Sequence, residues 1–414
     1  MEIYRMSQKN PIAKMQPQSE QVQANQPPMS KPKPQGQLLL ELTAISGEYP
    51  ADNIHRLIAS ASYAKKVITA LTGDKLIRLV NKGGIRGYRL ELKGKKKLLT
   101  ANNARFADYL DGAADTNKQR SDHSRRLRLH AAAEVYTLMY NANVQIFKDI
   151  KPKIYLPTAA ADPSQSALSQ SALAVTTPCF YSSREHKMEY ERSNAIRGSR
   201  AVGALLTSAR VYAIYNTGVT ESRWRESVET RYRVDVHDYI CRKLLYSQYK
   251  GGEISGIMLG EKLGLLEKYL LPQAKKETGY KFLTRAYRHF YFITNDSYGE
   301  AQLRLLCDNA KMHRLKTTLT KKFLPPNTKY PIEHDALTED GSPVLFCCLL
   351  DVPRLVQFKM GVILHGKRGK VIAFDFQKEM LESYLGADAE VRAINFESII
   401  EWLNQQSHKG DDSM

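Results

Sequence analysis

Long apolar runs are absent: nothing in the 414 residues approaches the ~18 consecutive apolar positions that a membrane-spanning helix needs. Cysteine is scarce. There are five (Cys179, Cys241, Cys307, Cys347, Cys348), odd in number, with two adjacent inside an apolar stretch. That pattern excludes a disulfide framework and a Cys/His zinc spacing, and it predicts a reducing cytosol. The first residues, MEIYRMSQKNPIAK, lack an apolar segment of signal-peptide length, so the expected location is cytoplasmic and not exported. Acidic residues are in deficit: 43 Asp+Glu against 61 Lys+Arg leave a net charge of +18. Such a balance points to a polyanionic partner, nucleic acid or an acidic membrane surface. Gly-x-Ser-x-Gly and His-Glu-x-x-His patterns are missing as well, which removes the common hydrolase and zincin chemistries.

What is present is a folding composition. Hydrophobic residues make up 43% and charged residues 25%, with 23 Tyr and 12 Phe, which excludes a chain disordered throughout. The length predicts two or three domains. Residues 1–35 are rich in Gln, Pro and Lys and read as a disordered basic arm, 157–178 as a Pro/Ser/Ala-rich flexible loop, and 407–414 as a disordered tail. Between these breaks we expect a DNA-binding module over 36–110 and a basic linker helix within 111–156. An α/β domain should follow over 179–406, divisible into 179–307 and 308–406.

The most informative stretch is 36–100. Helical patterns at 37–46 (ended by Gly47), 51–59 (entered after Pro50) and 62–71 are followed by a strand at 76–80, a glycine-rich turn at 81–87 and a return strand at 88–92. Three short helices and a two-stranded hairpin form the outline of a winged helix-turn-helix. Its third helix offers Ser62, Tyr63, Lys65, Lys66 and Thr69 to a major groove, with Val67, Ile68 and Leu71 left for the core. Lys82, Arg86 and Arg89 lie on the hairpin, with Lys93, Lys95, Lys96 and Lys97 just beyond it. Residues 31–100 hold fourteen Lys/Arg and five Asp/Glu, a net +9, half of the chain's charge in about a sixth of its length. This is the footprint of phosphate contact. Further on, Arg120, Arg125, Arg126 and Arg128 precede an Ala-rich helical run at 131–140. They read either as a second backbone contact or as the solvated half of a linker helix.

In the second half, apolar β-type runs at 202–206, 211–215, 343–350, 371–376 and 390–395 alternate with helical patterns near 221–245, 354–364, 377–385 and 396–406. Glu339-Asp340-Gly341 marks a hairpin turn between 332–337 and 343–350. Alternation of this kind predicts a sheet carrying helices on its faces. Gly361 to Lys367 has the spacing of a phosphate-binding loop, but a helix precedes it, a strand follows and Arg368 replaces the magnesium-binding hydroxyl, so it reads as a helix-to-strand turn. A magnesium-dependent nuclease would place carboxylates on the 200–215 hairpin; there are none. Its acids would have to come from Glu185, Glu189, Glu191, Glu226 or Glu229 on flanking helices. Asp335, Asp351 and Asp375, with His334, stand near strand ends, and Asp351 before Pro353 is placed to cap a helix. The Cys347-Cys348 pair reads as strand packing.

Three stretches together resemble a group of proteins of bacterial conjugative and plasmid elements: Leu38 to Glu48 through Gly87-Tyr88-Arg89-Leu90, Ser199 to Leu206 through Tyr215-Asn216-Thr217-Gly218, and Ile332 to Ala336 through Val344-Leu345-Phe346. That group is related to the plasmid replication-relaxation family, and the resemblance spans about 37–403. It implies a mixed α/β (α+β) chain, an N-terminal winged helix followed by a degenerate restriction-endonuclease-like domain. The family pattern has acids after the first and at the end of the second strand of that domain. This chain has Val202 and Asn216 near those places. The implied role is accessory, in replication, relaxation or transfer of the element, without catalysis, metal or cofactor. The expected partners are double-stranded DNA and a relaxase or replication protein, with a homodimer allowed and no membrane. A nuclease, or a winged-helix regulator or protein-docking module, are the alternatives.

Overall fold

The computed structural model describes residues 34–111, 123–154, 174–189, 198–218, 224–271, 277–327 and 329–409. The basic arm up to residue 33, Arg120, residues 157–173 of the loop, Glu191 and residues 410–414 of the tail lie outside them. Together the described residues form a mixed α and β unit built around three sheets.

The first segment begins with helix α1 (Gln35–Ser46), stopped by Gly47 at φ 88°. Short strand β1 (Tyr49–Pro50) leads into a 3-10 turn (Ala51–Arg56) and helix α2 (Ala61–Gly73). Pro50 sits at the 3-10 turn's N-cap position, where its missing N–H costs nothing. Strands β2 (Ile77–Lys82) and β3 (Ile85–Leu90) complete a three-stranded sheet ordered β1-β3-β2. The strands run longer, and the turn is tighter, than the glycine-rich stretch 81–87 predicts. Lys82 pairs with Ile85, and Gly83 and Gly84, at φ 62° and 76°, make a two-residue turn that residues with a Cβ adopt only under strain. Helices α3 (Leu92–Ala101) and α4 (Asn103–Leu110) follow.

Helix α5 (His123–Asn141) corrects the linker reading. Ala133, Val135, Tyr136, Leu138 and Met139 are buried, in one hydrophobic core with Leu39 and Leu42 of α1, Tyr49 of β1 and Phe180 of the larger sheet. Its basic start hides an inward-facing side chain, since Arg126 is 2% exposed.

That larger sheet is ordered β4-β5-β6-β7-β8, from Cys179–Ser182, Ala201–Leu206, Val211–Gly218, Ser255–Gly260 and Phe290–Thr294. The first three strands run antiparallel, and β7 and β8 continue parallel to β6. Alternate residues go to opposite cores: Phe180, Leu205, Ile214, Leu259 and Ile293 join the core that contains α5, whereas Tyr181, Leu206, Tyr215, Met258 and Phe292 join the core on the other face. On that second face Trp224 stacks on Phe282 and Tyr215 on Phe290, while Tyr215 meets Trp224, Phe282 and Tyr287 edge-on. After the short helix α6 (Ser183–Glu189), the helical stretch predicted at 221–245 is α7 (Glu226–Val236), which widens into a π-helix over His237–Leu244.

A third sheet is ordered β12-β11-β10-β9, from Ala389–Ile394, Gly369–Phe374, Pro343–Phe346 and Ala336–Leu337. Its last three strands in sequence are parallel, and β9 pairs antiparallel to β10 across a turn with Gly341 at φ 81°. Helices α8 (Tyr246–Tyr249), α9 (Leu263–Leu270), α10 (Glu277–Arg285), α11 (Ser297–Cys307) and α12 (Asn309–Thr320) precede this sheet. Helix α13 (Val352–Leu364) joins β10 to β11, so residues 361–368 do form a helix-to-strand turn, with Gly366 at φ 57°. The tail is shorter than expected, because the last helix runs Phe396–Lys409.

Candidate nucleic-acid interface

Helix α2 starts at Ser60, whose side chain accepts a bond from the Tyr63 amide. The helix is amphipathic in the expected sense. Ala64 is buried, Val67, Ile68 and Leu71 pack against the core, and Ser62, Tyr63, Lys65, Lys66 and Thr69 are exposed. Tyr63, a large aromatic, is 48% exposed. No helix or strand covers that outer face among the described residues, since α2 touches chiefly α1, the 3-10 turn and β2.

The hairpin carries the second group. Lys82 and Arg86 are exposed beside the Gly83-Gly84 tip. Arg89 is a correction: it is 3% exposed, and its guanidinium is bound 2.7 Å from Glu48 Oε2, so it serves the interior and not a phosphate. The lysines beyond the hairpin sit at its open end. The Glu91 amide donates to the Leu76 carbonyl, which places α3 one strand length, roughly 20 Å, from the tip. There Lys96 is exposed and Lys95 half-buried. The exposed basic residues therefore fall on α2, on the hairpin tip, and on α3 at the hairpin's base.

Sequence reasoning missed what holds the hairpin. Glu48, fully buried, accepts from Arg89 Nε at 2.8 Å and from the Arg126 guanidinium at 2.5 Å, and lies 2.9 Å from His130 Nε2. Arg126 also donates to the carbonyls of Val80, Lys82 and Ile85. One guanidinium thus ties α5 to both hairpin strands. Gly87 makes the room: a Cβ there would lie 2.4 Å from Glu48 Oε1 and 2.6 Å from His130 Nε2. Burial alone would push the Glu48 carboxyl up, but the bonds from His130, Arg126 and Arg89 outweigh it and lower its pKa to about 2. The signal was present only as a charged residue in the Gly47-Glu48-Tyr49 bend. Its partners are 41, 78 and 82 residues away in sequence.

Most of the carboxylates weighed for metal chemistry, where their side chains are described, are occupied elsewhere. Glu185 is buried against Lys151 Nζ at 2.6 Å and the Ser182 amide. Glu229 accepts from Ser199 Oγ at 2.7 Å and the Arg200 amide at 2.9 Å, fixing the start of β5, and burial, partly offset by these bonds, raises its pKa. Glu226 is exposed on α7. Asp335 takes Arg354 at 3.1 Å and the Phe346 amide at 2.9 Å. Asp351 makes no cap bond to α13. It accepts from the Phe290 amide and lies 2.6 Å from His289 Nδ1, joining the third sheet to β8. Asp375 binds Asn395 Nδ2 at 3.0 Å, and His334 lies 2.7 Å from the Ile332 carbonyl. Among the described residues no group of three His, Cys, Asp or Glu side chains is placed to hold a metal ion, and no helix is long and apolar enough to cross a membrane. No family model, curated protein or solved structure matches the chain.

Proposed function

We propose that residues 35–110, braced by α5, are a winged helix that docks double-stranded DNA, with α2 in the major groove and the β2–β3 tip on the neighbouring backbone. The observation that carries the reading is the outer face of α2. Five polar, basic or aromatic side chains stand exposed there on a helix whose apolar side is sunk in the core, with Lys82 and Arg86 exposed on the hairpin. Basic side chains on such a helix neutralise phosphates, while Ser62, Thr69 and Tyr63 have the size and chemistry to meet base edges.

The wider role follows by resemblance to the replication-relaxation group: an accessory DNA-binding protein of a bacterial mobile element, in the cytoplasm, positioning DNA for a relaxase or replication partner. The antiparallel β4–β5–β6 meander continued by parallel β7 fits a degenerate nuclease-like core. The absence of carboxylates on β5 and β6 favours a role without chemistry of its own. The test is anisotropy of the full chain on labelled duplex across a salt series. Replacing Lys65, Lys66 and Arg86 together by Ala should lower affinity by at least ~10-fold and flatten the salt slope by about 2–3. Equal affinity and slope in that variant would remove the proposal.

A further inference from the structure

A cleft of about 520 Å3 opens on the opposite side of the larger sheet from this interface. One wall is α7 and its π-helical continuation, and the other is the chain just ahead of β7 and β8, where Glu253, Ile254 and Arg288 stand. The helix that forms this wall buries Tyr232, Val236 and Ile240 with Tyr215 and Met258 on one face of the sheet, whereas α5 packs on the other, so the sheet lies between the cleft and α5. We propose that this cleft binds a phosphate-bearing ligand of nucleotide size.

The wall is built for it by helix periodicity. Arg231, Val234, Asp238 and Arg242 line the cleft at steps of three, four and four residues, the last step taken in the wider π register, a distortion that recurs at functional sites. Arg231 and Arg242 are exposed and make no ion pair among the described residues. Arg288 faces them, its nearest carboxylate Glu253 at 4.0 Å with both side chains more than two-thirds exposed, a pairing that solvent weakens. Arg233 gives the wall its rigidity by donating to the Ala286 carbonyl and lying over the Tyr287 ring. Of the acids, Asp235 is turned inward, 3.6 Å from His186 Nε2, while Asp238 and Glu253 share the lining with the arginines. Three exposed arginines, Arg231, Arg242 and Arg288, thus line a space of the volume that holds small ligands, and the planar donor geometry of a guanidinium matches phosphate oxygens. Val234, 56% exposed beside them, supplies an apolar surface for a base or sugar.

A free nucleotide and the end of a nucleic-acid strand present the same chemistry, and the experiment separates them. Calorimetry on the full chain at physiological ionic strength would use inorganic pyrophosphate, deoxythymidine monophosphate, and a short oligothymidine with and without a 5′-phosphate. We expect binding of at least one phosphorylated probe, falling roughly tenfold for Arg231→Ala/Arg242→Ala and again for Arg288→Ala. Retention by the Lys65, Lys66 and Arg86 triple variant would show the cleft to be independent of the winged-helix reading. Binding of the monophosphate assigns a free nucleotide, and binding of the 5′-phosphorylated oligomer alone assigns a strand end. No binding of any probe, or unchanged binding in the arginine variants, overturns the proposal.

Discussion

Glu48 shows how one side chain can decide the geometry of a surface it never reaches. Its carboxylate is surrounded by Arg89, Arg126 and His130 in the interior, and a buried ion cluster of this kind is costly to break from one side because the remaining charges stay desolvated. Glu48→Gln should therefore destabilise the chain by about 3–5 kcal/mol, readable in urea unfolding. The pH dependence has a definite sign. A carboxyl held at about 2 against an ordinary 4.5 contributes stability that is complete above pH 4.5 and is lost as pH falls toward 2. The contribution is about 3 kcal/mol. Measured by unfolding at successive pH values, wild type should lose this increment across that window and Glu48→Gln should not. Equal acid slopes in the two would refute the assignment.

At the scale of elements, α5 connects the hairpin to the larger sheet. Its first turns hold the hairpin through Arg126, and its later turns pack on β4 and β6 through Tyr136 against Phe180 and through Asn216, which donates to Ala131 and Glu134. Arg126→Ala should speed amide exchange over residues 77–90 and weaken duplex binding without reducing the salt slope, because Arg126 contacts no phosphate. A reduced slope would mean that it does. Arg126→Lys should not restore protection, since one ammonium cannot reproduce a fork shared by four acceptors. Much of this architecture was legible in the sequence: α2 and the hairpin followed from amphipathic period and Gly83-Gly84, α1 from its Gly47 stop although it is buried all round from Leu38 to Ser46 and not amphipathic as expected, and β5, β6, β11 and β12 from apolar runs. Strands β7 and β8, the inner and outer parallel strands of the larger sheet, went unread. Both are buried on both faces, so they lack the alternation that marks a half-exposed strand and read as plain hydrophobic stretches. The Arg89 and Arg126 placements were not legible either, because a basic residue in a basic segment carries no local sign of a buried partner.

The described residues from Gln35 onward form one packing unit, although the sequence suggests a small DNA-binding module joined by a linker to a larger domain. One core runs from Leu39 and Tyr49 through Tyr136 to Phe180, Ile214 and Ile293. Polar ties cross the same junction: Arg56 to Glu300, Asn141 to Glu300 at 2.7 Å, and Tyr49 Oη 3.0 Å from Thr137 Oγ1. Burial raises the Glu134 carboxyl, which accepts from Asn216, and this fits a junction closed to solvent. A chain cut between α4 and α5 would bare the apolar faces of α1 and β1 that α5 covers, so the first 110 residues should not fold as a stable domain by themselves. The intact protein should unfold in a single calorimetric transition, with calorimetric and van't Hoff enthalpies in agreement. Duplex DNA, by binding the native state, should raise the midpoint of that one transition as a whole. Two resolved transitions, with DNA shifting the earlier alone, would show that the shared core does not couple the two halves. The proposed DNA-docking surface would then move independently of the sheet that carries the arginine cleft.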